Sequence, residues 1–343
     1  VECNKLKRLG EYYKCKDEKR RMIGMAATVA IFRDILPSYT IRELTEAESA
    51  VKVSKDVQAQ RNYEQTLLRS YTDFVTFCKS EFGKRGDLLP FKSLSELCKS
   101  SSCRSFNSFE SVLSVVACAA AVNKSEKVRA VGCKALRTLF GDTEDASGRL
   151  TMLAVKSIAG SLRDRQYKVW DKALFVALEN VRLRSRESIT VKPDISLHDS
   201  TQKNTQKVQS HLSKKERKEQ KLEKKETRKK AVVEASEAQK QQQKWARETR
   251  EYLFAILFGF LKSADQQDQT LLPSCMSAIS RFSAYLGLEY FTDLTNAIKV
   301  ICERHCKTSG NLELSLHCIA AVLRMSNLQE SAASLDLKYF YDL

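Results

Sequence analysis

The 343-residue chain carries 58 lysines and arginines against 42 aspartates and glutamates, a net charge of +16, and 43% of its residues are hydrophobic. That apolar content excludes a wholly disordered chain. Eleven glycines and 4 prolines are too few turn residues for an all-β barrel or a glycine-rich nucleotide fold. No apolar run approaches the roughly 20 residues that cross a bilayer, and no charged-then-apolar leader opens the chain. A soluble, intracellular, helical protein with no membrane partner is expected, and the apolar-aromatic run Tyr339, Phe340, Tyr341 makes the sequence look like a piece of a longer one. The cysteines, an odd 11, sit in apolar contexts such as Val116-Ala117-Cys118-Ala119 and predict free, buried thiols in a reducing compartment.

In chain order, residues 1–45 read as a basic lead-in followed by an apolar helix from Met22 to Leu36, stopped by Pro37. Thr45 and Glu48 have capping-box spacing and are expected to open a long helix reaching about Phe82, with Leu67, Leu68, Tyr71, Phe74 and Val75 on one face. Shorter amphipathic helices follow, marked by Val112/Val115/Val116/Ala119, Val128/Val131/Ala135/Leu139, Leu150/Leu153/Ala154/Ile158 and Trp170/Ala173/Leu174/Ala177/Leu178. Consecutive helices of this kind cannot cover their own apolar faces singly, so residues 46–186 predict a stacked array: an all-α, HEAT/armadillo-like solenoid, with an irregular helical bundle as the competing architecture. A polar linker spans 187–210 and a charged basic helix 211–250. A second helical block begins at 251 and runs to 343, with stripes at Leu253/Ile256/Leu257/Phe260/Leu261, Leu272/Cys275/Met276/Ile279, Phe291/Leu294/Ile298 and Leu312/Leu316/Ile319/Leu323.

The charge run from Lys214 to Lys230 holds ten basic and four acidic residues, with Leu222 its only apolar one. Advancing about 100° per residue, a helix places Lys214, Lys218, Lys221, Lys225 and Arg228 within an arc of roughly 80° and the glutamates opposite. Like charges then face each other at i,i+4, which costs a few tenths of a kcal/mol per pair unless an external anion neutralises the stripe. Lys214, Lys215, Arg217, Lys218, Lys221, Lys224, Lys225, Arg228, Lys229 and Lys230 are therefore the candidate RNA-binding residues, holding phosphates without reading bases. The alternative is a solvated spacer or a nuclear-import signal. Gly83-Lys84-Arg85-Gly86-Asp87 is a further basic turn that could touch phosphate.

Catalytic signals are absent from the sequence. No phosphate loop, nucleophile elbow or paired-carboxylate motif occurs, so neither enzymatic activity nor a cofactor is expected. Cys302, His305 and Cys306 lack the tight-turn spacing of a zinc knuckle, and Cys98 and Cys103 fall in a Ser-rich stretch read as a loop; no metal site is expected.

Residues 36–48 read LPSYTIRELTEAE. This segment resembles the signature of the nucleolar complex protein 3 family at Pro37, Ser38, Tyr39, Ile41, Arg42, Leu44, Thr45, Glu46, Ala47 and Glu48. The resemblance continues more thinly through Arg165, Tyr167 and Val169, through Ser213 to Lys218, and through Leu314 to Cys318. It implies a nucleolar and nuclear assembly factor of the large ribosomal subunit. Its implied partners are a nucleolar complex protein 2-like protein, pre-rRNA, and the ribosomal proteins and assembly factors of the precursor particle. A CBF-type carboxy-terminal domain would start near the end of this chain. The resemblance also leaves open an interaction scaffold in DNA replication initiation. Locally, Tyr39 and Ile41 are expected to anchor the turn, and Arg42 to meet either an internal carboxylate or an RNA or protein partner.

Overall fold

A computed structural model describes residues 2–43, 45, 48, 51–142, 145, 147–183, 214–263, 269–285, 288–306, 312–327 and 338–341. All of its regular secondary structure is helical, with no strand among the described residues. The basic lead-in is itself folded: α1 (Glu2–Tyr13) packs on α2 (Glu18–Ile35). The second helix starts four residues before the expected Met22 because the Asp17 carboxylate accepts the Lys19 N–H at 3.0 Å and the Arg20 N–H at 3.5 Å. The two helices meet so closely at Gly24 that a Cβ there would fall 2.6 Å from the backbone of Tyr12.

The long helix α3 (Lys55–Arg85) begins about ten residues later than expected, since Ser54 supplies the cap, its hydroxyl accepting the Val57 N–H at 3.4 Å. It ends past Phe82, where Gly86 takes a left-handed φ of 69° and its N–H donates to the Phe82 carbonyl at 2.8 Å. The expected face, Leu67, Leu68, Tyr71, Phe74 and Val75, is buried. Next come α4 (Leu88–Lys99) and the single turn α5 (Ser101–Arg104); Cys98 and Cys103 are buried on these helices and not in a loop, because Phe91, Leu94 and Leu97 build a core stripe strong enough to carry the serines between them into helix.

The helices α6 (Phe109–Val122), α7 (Glu126–Gly141), α8 (Arg149–Arg163) and α9 (Ala173–Leu178) follow the predicted stripes with one exception. Trp170 precedes α9 and is 40% exposed; Asp171 and the turn after α8 interrupt the helix there. Next in the described chain is α10 (Lys214–Lys262), 49 residues without a break, then α11 (Leu272–Phe282), α12 (Leu288–Ile301), α13 (Leu312–Asn327) and the short α14 (Lys338–Tyr341). The expected linker at 187–210 lies outside the described residues, and the expected boundary at 250/251 falls inside α10. In α13 the buried face is Leu314, Cys318, Ala321 and Val322, whereas Leu312 and Leu316 of the predicted stripe are 70% and 58% exposed. The small Cys318 and Ala321 suit its close packing against α11.

Helix contacts fall into two rows. In one, α1 packs on α3, α3 on α6, α6 on α8 and α8 on α10; in the other, α2 packs on α4, α4 on α7, α7 on α9, α9 on α11 and α11 on α13. The pairs α1–α2, α3–α4 and α6–α7 join the rows. One apolar cluster runs from Leu6 to Phe340, and the Phe175 and Phe260 rings meet edge to face at 4.9 Å, tying α9 to α10.

Candidate nucleic-acid interface

The basic helix is held at one end. Leu253, Ile256, Leu257, Phe260 and Leu261 of α10 are buried, and the helix packs along α8. Gly259 lets the Tyr167 ring in: a Cβ there would lie 2.4 Å from the ring. Tyr167 reaches this position because Gln166 and Tyr167 adopt φ of 53° and 58°, with the Tyr167 N–H donating to the Leu162 carbonyl at 2.7 Å. Two successive left-handed residues are costly outside glycine, so the docked ring and this hydrogen bond must outweigh that cost.

Towards its amino terminus α10 leaves this support. Lys229, Lys230, Val232, Val233, Glu234, Glu237 and Lys240 are exposed. At roughly 1.5 Å per residue the helix is about 73 Å long, and Lys230 lies about 44 Å from Gly259. Of the candidate RNA-binding residues, Lys229 and Lys230 are therefore on the exposed part of the helix. Lys214, Lys215, Arg217, Lys218, Lys221, Lys224, Lys225 and Arg228 lie on its helical backbone, with side chains outside the described residues.

The signature segment is a strap between α2 and α3. Ile41 is 3% exposed, and the Asn107 side chain both accepts its N–H and donates to its carbonyl, each at 2.8 Å. Tyr39 is 51% exposed and anchors by its tip, the hydroxyl donating to the Glu64 carboxylate at 2.9 Å, which raises the phenol's pKa. Arg42 pairs with the Glu48 carboxylate, so its partner is internal. Thr45 and Glu48 form the expected box: the Glu48 carboxylate accepts the Thr45 N–H at 3.1 Å, and the Thr45 hydroxyl accepts the Glu48 N–H at 3.4 Å. The Thr45 backbone and hydroxyl together with Arg42 pull the Glu48 carboxyl down to about 2. Arg61 of α3 donates to the Glu48 carbonyl at 3.3 Å and Gln65 to the Arg42 carbonyl at 3.2 Å. Pro37 follows α2 and leads into a bend at Ser38 and Tyr39, while Leu44, Glu46 and Ala47 lie outside the described residues.

Asn107, Glu64, Arg61 and Gln65 were not signalled by any motif; only their place within one helix turn or one loop of the strap brings them together. Burial pushes the thiols of Cys98 and Cys133 up to about 12, the opposite of what a reactive cysteine needs. No group of three or more metal-ligating side chains occurs among the described residues, and no described helix is long and apolar enough to cross a membrane.

Residues 1–74, which contain the strap, match the family described as nucleolar complex-associated protein. Over almost its whole length the chain also aligns with curated relatives. It is 28% identical to the nucleolar complex protein 3 homolog of Xenopus laevis over 344 residues, covering 94% of this chain and 41% of that protein. The Homo sapiens homolog gives 28% identity with the same coverage of each. Nucleolar complex-associated protein 3 of Schizosaccharomyces pombe is 27% identical over 81% of this chain and 37% of its own length. Over most of its length the chain is similar to nucleolar complex protein 3 homologues of vertebrates and fission yeast. It spans about two fifths of the length of the curated relatives it matches. Nucleolar and nuclear localisation, implied earlier by residues 36–48, agrees with the names these family members carry.

Proposed function

We propose that this chain is a non-catalytic scaffold for large ribosomal subunit assembly in the nucleolus. Its two rows of helices act as a HEAT/armadillo-like solenoid that takes a nucleolar complex protein 2-like partner along its length, and α10 grips pre-rRNA. The reading rests on one observation: a 49-residue helix is clamped through its apolar last turns while the part beyond the clamp is exposed and leads into the ten-cation run. A helix with only a solvent role would gain from opposite charges at i,i+4, and the run instead sets Lys214 against Lys218 and Lys221 against Lys225. Phosphates relieve that repulsion, and counterion release makes the resulting affinity steeply salt-dependent.

Reversing Lys214, Lys218, Lys221 and Lys225 to Glu tests it. Binding to an rRNA fragment measured between low and physiological salt is expected to weaken, and each lost phosphate contact lowers the slope of log affinity on log salt by about 0.7 to 0.9. Four lost contacts remove about 3. A slope unchanged by the four reversals leaves the run as a spacer or import signal.

A further inference from the structure

We infer a second polyanion contact, remote from the basic run: a cleft at the carboxy-terminal ends of α3, α6 and α8, with Trp170 beside it, takes an unstacked base and the adjacent phosphates of a single-stranded RNA. It rests on the function proposed above only for the class of polymer. The cleft has a volume of about 510 Å³, within the roughly 300–1,000 Å³ of small-ligand pockets. Phe82, Val115, Cys118 and Val122 give it an apolar floor, and Lys124 and Arg165 stand at its rim.

The indole next to it is not part of the core. Trp170 is 40% exposed, with the Arg129 guanidinium carbon 5.8 Å and the Lys168 Nζ 5.2 Å from its ring centroid, both within the reach of a cation–π contact. Arg129 is itself fixed. Its Nε donates to the Asp171 carboxylate at 2.7 Å, and its Nη1 donates to the carbonyls of Asn123 and Lys124, each at 2.9 Å. The arginine beside the indole therefore also holds the link that carries Asn123 and Lys124 into the cleft, so Trp170 stands one side chain away from residues that line it. The turn bearing Arg165 and Lys168 is rigid as well, held by the left-handed Gln166–Tyr167 pair wedged against α10.

Charge on this edge has one dominant sign. In the lining and the turn that adjoins it, Lys124, Arg165 and Lys168 are exposed, against Asp164, while Asp171 is engaged by Arg129. Lys84 and Arg85, noted in the sequence, follow the lining residue Phe82 in the last turn of α3. A flat aromatic face flanked by cations over an apolar hollow matches a nucleobase with its phosphates. An acidic peptide would satisfy the cations but bring no flat group for the indole. A duplex keeps its bases stacked and cannot present one.

The chain contains two tryptophans, so Trp245→Phe leaves Trp170 as the only indole reporter. This variant is titrated with a single-stranded oligoribonucleotide, an abasic strand of equal length and poly-glutamate, following indole emission and affinity. The oligoribonucleotide is expected to quench Trp170, and the abasic strand to bind severalfold more weakly without quenching. In the otherwise unaltered chain, Trp170→Ala lowers affinity about tenfold and Trp170→Phe restores most of it, with unchanged thermal unfolding by circular dichroism. Arg165→Glu with Lys168→Glu lowers the salt slope by about 1.4. Equal affinity and quenching by the abasic strand, or quenching by poly-glutamate and not by RNA, overturns the inference. Repeating the titration with Lys214, Lys218, Lys221 and Lys225 reversed separates the two sites: quenching that persists there belongs to the cleft alone, and failure of either site leaves the other measurable.

Discussion

Arg42 had two possible partners in the sequence, a carboxylate of its own strap or a group on another molecule, and the structure gives it Glu48. The Thr45 N–H is the largest influence on that carboxylate, followed by the Arg42 guanidinium and the Thr45 hydroxyl, all favouring the charged form. The carboxyl therefore titrates near 2, below its ordinary 4.5. A depressed acid stabilises the fold fully above its unfolded pKa and loses that contribution as pH falls through the folded one. The strap should thus hold unaltered above about pH 4.5 and loosen towards pH 2. A carbon-detected NMR titration of the Glu48 carboxyl is expected to show a midpoint near 2, moving up in Arg42→Ala. A midpoint at the ordinary glutamate value would mean that the capping box does not form in solution.

Two helices show where chain pattern suffices and where it does not. The Thr45–Glu48 box was legible because all its groups lie within four residues, and the buried face of α3 because its 3.6-residue period is strong. The true opening at Ser54 was not, because a cap motif marks a turn without saying how far the next helix begins. The seating of α10 was hidden more deeply: Gly259 lies in the last turn of the helix within an apolar run, and nothing local reveals that Tyr167, about ninety residues earlier, fills the space its missing Cβ leaves. Gly259→Ala is expected to destabilise the chain by roughly 1–3 kcal/mol, since the ring atoms nearest the new methyl belong to a docked aromatic on a constrained turn and overpacking must move either that turn or α10. Gly160 in α8 provides the control. A Cβ there meets nothing within 4 Å, and Ala at that position should stabilise by roughly 0.5–1 kcal/mol through helix propensity alone. Denaturant unfolding of both variants checks the pair; equal and small changes would mean that Tyr167 does not clamp α10.

The helical class was legible in the composition, because scarce glycine and proline with recurring apolar stripes leave few other solutions. The order in which the helices stack was not, and the reading of α13 shows why: Leu312/Leu316/Ile319/Leu323 and Leu314/Cys318/Ala321/Val322 are both apolar, and only the presence of α11 selects the second set. The same difficulty affects the expected separation into two helical blocks. The row α6, α8, α10 joins helices from before residue 184 to one from after 213, and α9 passes to α11 in the other row, so neighbouring helices on either side of that stretch bury each other's faces. A helix whose apolar face is covered only by adjacent helices is stabilised chiefly by those neighbours. Removing everything after residue 183 would strip α10 from α8 and expose the Phe175 ring that meets Phe260, an apolar area of the kind that drives association. Fragments 1–183 and 214–343 expressed separately are therefore expected to bind a hydrophobic dye and self-associate, and when mixed to form a one-to-one complex with dye binding reduced to that of the intact chain. Phe260→Ala in the second fragment should weaken this complementation, because it empties the ring pocket against α9. If instead 1–183 alone is monomeric, binds no dye and unfolds as cooperatively as the intact chain, the array divides at the polar stretch, and α10 is an appendage to the first set of helices, not its next layer.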